Sequence, residues 1–368
     1  MKILHCADLH LDSPMRANLD AVKSKERRLE LLDTFVRMVA YAEAEAIDTI
    51  LIAGDLFDSS NVSRTAMNAF LRQVDTHSGI KFYYLRGNHD ALCFPVSEGL
   101  PSNLMFFEDE WTEYVLFENE KRRIILKGVE FNGVNEGSIY DSLHLDAHDF
   151  NILMLHGQTV EHNMGDKTEY IHTRQLMNRG IDYLALGHVH SYAREAIDNR
   201  GFYVFPGCLE GRGFDECGEH GFVVVDINED SGEANEHFIP FARRNYYEES
   251  VDVSDCLSSE EMIERIRERL GNLGLSPDSL IKIILTGRID VNCEKNIDYI
   301  LHNIAHSFYF VKIYDETQMA VDFRMYAFDE SLKGEFIRNV LASDLSDEEK
   351  GEVIHYGLMA LNGEDILG

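Results

Sequence analysis

No run of apolar residues in this chain approaches the roughly 20 positions that a helix needs to span a bilayer, so no membrane-embedded segment is expected. The N-terminus, Met1-Lys2-Ile3-Leu4-His5-Cys6-Ala7-Asp8, lacks the longer apolar core and small-residue cleavage site of a secretory leader and reads as a first buried strand. The cysteines, Cys6, Cys93, Cys208, Cys217, Cys256 and Cys293, are scattered and form no Cys-x-x-Cys pair. That spacing excludes a disulfide framework, argues against a thiolate zinc site and favours a reducing cytoplasm. Cys6, inside an apolar strand pattern, is expected to be a small core hydrophobe. Positive charge is also scarce: 34 Lys and Arg stand against 65 Asp and Glu, a formal net charge of −31. A protein that grips DNA alone usually shows a basic patch, and an acidic surface repels polyanions at long range. The balance therefore weighs against autonomous, tight DNA binding. No internal repeat and no low-complexity segment is present.

What is there is ordinary for a soluble globular protein: 45% hydrophobic and 27% charged residues over 368 positions. That length predicts two domains plus a short appendage. Residues 1 to about 130 alternate strand and helix signals. Strands are predicted at 2–7, 50–53 and 81–85. Helices are predicted through Leu29, Leu32, Phe35, Val36, Val39 and Ala40, and over 65–74. This alternation predicts a largely parallel sheet. Further strands are expected at 123–129, 151–155, 182–186, 202–205 and 221–227, which two stacked sheets flanked by helices would accommodate. Composition changes near 241–250. Beyond it, Ser258 with Glu261 resembles a capping box, followed by Met262, Ile263, Ile266 and Leu270 on one helical face. With strands at 280–286, 308–314 and 319–326 and a helix at 294–305, a small α/β domain is expected. The tail carries two amphipathic helices, one with Leu332, Phe336, Ile337 and Val340. The other starts at Ser346 with Glu349 in the capping-box position, carries Val353, Ile354, Gly357, Leu358 and Leu361, and stops at Asn362-Gly363.

Five short motifs carry the chemistry: Asp8-Leu9-His10, Gly54-Asp55, Gly87-Asn88-His89-Asp90, His156-Gly157 and Gly187-His188-Val189-His190. Each follows a predicted strand, and ligands of layered α/β folds gather at the carboxyl ends of strands. Carboxylate, amide and imidazole donors without a thiolate suit a pair of divalent ions, manganese, iron or zinc rather than calcium. Any one of these histidines alone is more often ordinary surface or core; the ordered set is the signal.

These motifs, in this order, resemble the calcineurin-like metallophosphoesterases over residues 1 to about 240. The opening His5-Cys6-Ala7-Asp8-Leu9-His10-Leu11-Asp12 and the later Phe205-Pro206-Gly207-Cys208-Leu209-Glu210-Gly211-Arg212, with Glu216 and Gly221-Phe222, are similar to the SbcD-type DNA repair exonucleases and their YhaO-like branch. The resemblance implies a four-layer α-β-β-α sandwich at 1–245, an α/β capping domain at 246–330, and a helical tail at 331–368 that docks an SMC-like coiled-coil ATPase. It implies one metal held by Asp8, His10, Asp55 and His190, and a second held by Asp55, Asn88, His156 and His188, with Asp55 bridging and manganese the expected ion. It also implies His89 as the catalytic acid or transition-state stabiliser, Asp90 as its orienting hydrogen-bond partner, and dimers formed through the phosphoesterase domain. The chemistry agrees. Paired divalent ions neutralise phosphoryl oxygens in an in-line displacement, and a histidine beside them donates a proton near neutral pH.

Other residues leave alternatives open. Arg212, in Gly211-Arg212-Gly213, is either a bidentate phosphate clamp or a loop arginine in a salt bridge. For Arg86 the second kind of role is favoured. Asp12 and Asp58 either orient ligand imidazoles or cap turns. His144, His148, His162 and His172 read as surface residues, and His5 as buried and hydrogen-bonded. Tyr246 and Tyr247, beside Arg243 and Arg244, read as a domain junction rather than a base-stacking platform. The tail helices either dock a partner or cover the chain's own core. The leading expectation is a DNA nuclease; a phosphatase or phosphodiesterase of small esters is the alternative, and a scaffold with a degraded site is disfavoured by the complete ligand set.

Overall fold

Strands β1 (Lys2–Cys6), β2 (Thr49–Ala53) and β3 (Lys81–Leu85) form where short apolar runs are bounded by polar turns. Helices α1 (Ala21–Ala44) and α2 (Arg64–Thr76) cross between them. Asp20 caps α1 by accepting from Val22 N and Lys23 N, and Ser63 caps α2 by accepting from Ala66 N. In this computed structural model the described residues are 1–16, 18–58, 62–90, 99–132, 135, 138–160, 170–290, 293–320 and 329–362. His162, Cys93, Gly363 and most of the strand expected at 319–326 lie outside them. The chain divides into two compact units, Met1–Asn245 and Tyr246–Gly368.

The first unit holds two six-stranded sheets. In the first, β1, β2, β3 and β4 (Leu104–Phe106) run parallel; β13 (Gly221–Ile227) and β14 (Ala234–Pro240) extend it antiparallel, in the order β14-β13-β1-β2-β3-β4. The second has the order β11-β12-β10-β7-β6-β5. Strands β6 (Arg123–Gly128), β7 (Phe150–His156), β10 (Tyr183–Gly187) and β12 (Phe202–Phe205) are parallel, and β5 (Thr112–Glu118) and β11 (Ala193–Ala196) are antiparallel edges. The facing sheets share a hydrophobic core that includes Ile3, Leu51, Tyr83, Leu126, Ile152 and Val223. A second core lies between the first sheet and α1 and α2, with Phe35, Phe57 and Phe70. A third covers the outer face of the second sheet, with Tyr140, Leu155, Leu176 and Leu186. Among the described residues that fourth layer is thin: a 3-10 turn, Ile139–Ser142, and the one-turn α3, Thr173–Leu176.

The face that α1 buries overlaps the expected one only in part: Phe35 and Val39 are buried and Leu32 and Val36 half-buried, but Leu29 is 58% exposed, and Arg27, Glu30, Leu31, Thr34, Met38 and Ala42 also turn inward. The apolar pattern misleads here because this face carries a buried ion-pair network. Arg27 donates to Glu30 (2.7 Å) and Glu210 (2.9 Å), and Arg244 donates to Glu30 (2.7 Å). A buried charge is tolerated when it is paired and hydrogen-bonded in this way.

In the second unit β15 (Tyr246–Asp252), β16 (Leu280–Thr286) and β18 (Phe310–Asp315) form a parallel sheet with helices α4 (Ser259–Leu273) and α5 (Ile297–Ile304) in its crossovers. A short pair, β17 (Arg288–Asp290) and β19 (Gln318–Ala320), lies in the same unit. The tail helices α6 (Leu332–Leu341) and α7 (Asp347–Asn362) fall within this unit too. They pack through Ile337, Val340, Ile354 and Leu358. Ser346 and Glu349 form the expected capping box: Glu349 N donates to Ser346 Oγ (3.3 Å), and Ser346 N donates to Glu349 Oε2 (2.8 Å). No helix of the described residues is long and apolar enough to cross a membrane.

Candidate metal centre

All five motifs leave the carboxyl ends of parallel strands β1, β2, β3, β7 and β10, and the two sheets face each other, so they converge on one edge of the sandwich. The backbone there is strained. Asp8 (φ 51°), His10 (φ 43°), Asp55 (φ 48°) and His188 (φ 102°) all lie in the left-handed region that non-glycine residues avoid. Such outliers cost about 1–3 kcal/mol each and persist where the surrounding structure over-determines them. Main-chain bonds between the loops do so here: Asp8 N donates to Gly54 O (3.1 Å) and His10 N to Asp55 O (3.0 Å). The approach is close enough that a Cβ on Gly187 would lie 1.9 Å from the Ala53 carbonyl oxygen.

Ligand atoms of Asp8, His10 and His190 lie within 4.8 Å of one another, and so do those of Asp8, Asp55 and His156. His156 Nδ1 sits 2.9 Å from the Ala53 carbonyl, which only accepts, so Nδ1 carries a proton. Its Nε2 then faces Asn88 Oδ1 at 3.0 Å and Asp55 Oδ2 at 3.4 Å. Asp55 Oδ2 is also 4.0 Å from His10 Nε2, which places it between the two groups. His190 Nδ1 faces the carboxylate of Glu216 at 2.7 Å, and its Nε2 lies 3.4 Å from His10 Nε2. His10 Nδ1 is 3.1 Å from Asp58 Oδ1, at ion-pair distance but off hydrogen-bonding angle. His188 N donates to both oxygens of Asp8 at 3.0 Å, and its ring stands edge-on to His156 with centroids 5.3 Å apart.

The histidines thus present Nε2 lone pairs beside carboxylate and amide oxygens, an assembly of acceptors that needs a cation at its centre. Burial opposes charge on His156, but the Asp55 carboxylate outweighs it and lifts the imidazole to about 9; burial likewise raises Asp55, but His156 holds it well below the usual carboxylate range. A proton here does what a metal ion would do by displacing it. Carbonyl or carboxylate partners on the far ring nitrogens of His156, His190 and His10 are the arrangement that fixes metal-binding imidazoles. The donor set therefore fits two divalent ions, one beside Asp8, His10 and His190 and one beside Asp55, Asn88 and His156, with His188 adjacent.

Several expectations change. Asp90 does not reach His89. Its buried carboxylate accepts from Leu56 N (2.7 Å), Phe57 N (3.3 Å), Gly87 N (2.7 Å) and the Tyr84 hydroxyl, joining the β2 and β3 loops. Three of these donors meet Oδ2 and one meets Oδ1, and none of them is His89. The His89 ring turns to the Asp58 carbonyl instead (Nδ1 3.0 Å). Arg212 takes up the salt-bridge alternative: its guanidinium meets Glu216 at 2.9 Å and Asp58 at 2.9 Å. Asp58 lies at ion-pair distance from His10, while Asp12 serves the turn by accepting from Asp58 N (2.7 Å). Arg86 pairs with Glu130 (2.7 Å). Tyr246 is fully buried and Arg244 is buried against Glu30, so neither offers a base platform; Arg243 also pairs with Glu30 but stays half exposed. Sequence reasoning assigned no role to Glu216. The available signal was that a ligand histidine needs a carboxylate behind it and that Glu216 belongs to the quoted motif.

The calcineurin-like phosphoesterase profile matches residues 1–192, just over half of the 368. The chain belongs to that family. The uncharacterized metallophosphoesterase YhaO of Bacillus subtilis is 28% identical over 302 residues, 78% of this chain and 72% of that protein. The DNA double-strand break repair protein Mre11 of Saccharolobus solfataricus is 25% identical over 248 residues, 62% of this chain and 61% of its own length. Mre11 of Methanopyrus kandleri is 22% identical over 324 residues, 79% of this chain and 69% of its own. The matched family residues take in all seven acceptor positions from Asp8 to His190.

Proposed function

We propose that this phosphoesterase is a manganese-dependent DNA nuclease, of the SbcD or Mre11 type, acting in DNA repair with an SMC-like coiled-coil ATPase. The reading rests most on one observation: the complete acceptor set, with the far nitrogens of His156 and His190 already engaged, in a chain similar to proteins named for double-strand break repair. When bound, two divalent ions would neutralise the phosphoryl oxygens and acidify the attacking water. The chain's own residues do the rest. Asp55 faces both ion positions. His89, tethered at Nδ1 by the Asp58 carbonyl, would donate from Nε2 to the leaving group. The net charge of −31 weighs against DNA binding by the chain alone, and a partner that supplies the basic DNA-holding surface would answer it. A tail docked through its apolar faces is a fitting attachment for that partner.

The test is degradation of end-labelled linear duplex and single-stranded DNA by the purified chain with manganese, beside His89→Ala. Cleavage by wild type alone supports the nuclease. Brisk hydrolysis of a small phosphodiester without DNA cleavage, even after the ATPase is added, would replace it with the second reading, a phosphodiesterase of nucleotides or other small esters. The same charge of −31 is the observation that favours that reading.

A further inference from the structure

We infer that Arg212 is a positioning residue for one half of the metal centre, the half formed by His10 and His190. Five side chains close a ring. His10 Nδ1 lies 3.1 Å from Asp58, Asp58 lies 2.9 Å from Arg212 Nη1, and Arg212 Nη2 lies 2.9 Å from Glu216 Oε1. Glu216 Oε1 lies 2.7 Å from His190 Nδ1, and His190 Nε2 returns to within 3.4 Å of His10 Nε2. Arg212 N also donates to Glu216 Oε2 at 2.7 Å, so one residue grips that carboxylate by backbone and side chain together. Arg212 Nη2 lies 3.0 Å from His190 Nδ1 as well, but the Glu216 carboxylate can only accept and therefore decides which ring nitrogen carries the proton.

Without the guanidinium, Asp58 and Glu216 would share a corner with Asp8 and Asp55 and no fixed cation, and like charges would drive them apart. Each displacement would turn an imidazole. Arginine suits the task because it stays charged and its planar fork meets two carboxylates at once, which a lysine ammonium cannot do. The His156 side of the centre does not depend on it, because the Ala53 carbonyl fixes that ring.

The loop that carries Arg212 has a separate anchor. Glu210 accepts from Arg27 Nη2 (2.9 Å), Thr34 Oγ1 (2.6 Å) and Arg243 N (2.6 Å), and Arg27 Nη2 also reaches the Gly211 carbonyl (3.2 Å). Loss of the Arg212 side chain thus leaves the loop attached to α1, and its effect falls on the ring.

The inference rests on the two-metal reading, and the test separates the two. Manganese is titrated into the metal-free full-length chain by calorimetry and by electron paramagnetic resonance, for wild type, Arg212→Gln, Arg212→Lys and Glu216→Gln, with melting temperatures measured alongside. Wild type takes two ions with a spin-coupled signal. Arg212→Gln keeps one ion at wild-type affinity, weakens the other ten- to a hundredfold, and loses the coupled signal at limiting manganese. Glu216→Gln does the same, and Arg212→Lys shows a smaller loss of the same kind, which also serves if the glutamine variant does not fold. Two ions bound at wild-type affinity by Arg212→Gln, with only KM raised, would return Arg212 to phosphate binding and overturn the inference. Loss of both ions in a folded variant would overturn it too. A wild-type chain that takes fewer than two ions would defeat the metal centre itself.

Discussion

Gly54 lies so close beneath His156 that a Cβ there would stand 2.0 Å from Nδ1, the atom that donates to the Ala53 carbonyl. Its φ of 93° is also one that an alanine avoids. Gly54→Ala is therefore expected to turn the imidazole away from Asn88 and Asp55, and to cost about 1–3 kcal/mol in backbone strain alone. Metal content by elemental analysis and stability by chemical denaturation check this. A variant with two bound ions and wild-type stability would contradict it.

His89 supplies no atom to the groups around Asp55–His156 or Asp8–His190, although it meets His10 and Asp58 in a third cluster of ligand atoms. His89→Ala should keep both ions and lose about 10²–10⁴ in turnover, the range for a positioned general acid. Steady-state hydrolysis of a small phosphodiester, with the ions counted in the same sample, tests both halves. Loss of metal together with activity would make His89 a ligand.

Much of this site was legible because its chemistry is written in short side chains at strand ends. Asp8, His10, Asp55, Asn88, His156, His188 and His190 each follow a run of apolar residues, and a parallel sheet brings such ends together. The core strands were legible for the same reason. The edge strands β5, β11 and β14 were not, because half-exposed edges alternate polar and apolar residues without a sustained run. The inward face of α1 escaped because Arg27, Glu30 and Thr34 are buried against partners almost two hundred positions away. The roles of Asp90, Glu216 and Arg212 depend on which donors surround each side chain, and spacing along the chain does not carry that information.

Asp90 is a case where the sequence pointed to catalysis and the structure points to architecture. Burial raises its carboxyl to about 6, although the Tyr84 hydroxyl and Gly87 amide favour the charged form. Asp90→Ala would leave the amides of Leu56, Phe57 and Gly87 without their acceptor. At about 1–3 kcal/mol for each buried unsatisfied group, a loss of about 3 kcal/mol or more is expected. Asp90→Asn should also destabilise, because its amide nitrogen donates where only acceptors fit. Normal denaturation midpoints for both variants, with turnover alone impaired, would restore Asp90 as the partner of His89.

His5 gives the fold a dependence on pH. The ring is buried in β1 with Nδ1 2.7 Å from the Tyr183 hydroxyl, and burial lowers its pKa from 6.5 to about 3, with a small opposing effect from the Leu186 main chain. Between those values the unfolded chain binds a proton that the folded chain refuses, so stability rises with pH across that window. His5 costs nothing above about pH 6.5 and weakens the fold by up to about 1.4 kcal/mol per pH unit below it. His5→Gln should therefore lose less stability than wild type between pH 6.5 and pH 4.5. Parallel denaturation curves at the two pH values read the difference, and equal losses in both proteins would show that His5 does not titrate as described.

The packing of the tail can be told apart from the partner docking proposed for it. Ile337, Val340, Ile354 and Leu358 are buried between α6 and α7, whereas Val353 and Leu361 are 40% exposed on α7 and Leu332 is 68% exposed on α6. The buried set holds the helix pair: Ile354→Ala should cost about 2–5 kcal/mol of local stability, as truncation of a buried aliphatic residue does. The exposed set is available to a partner helix or groove. Val353→Glu combined with Leu361→Glu should leave the melting temperature unchanged and abolish co-purification with a coiled-coil ATPase, while deletion of 331–368 removes the same interaction. If the double glutamate variant melts early, those side chains cover the chain's own surface. If it melts normally and still binds the ATPase, docking runs through another face of the protein.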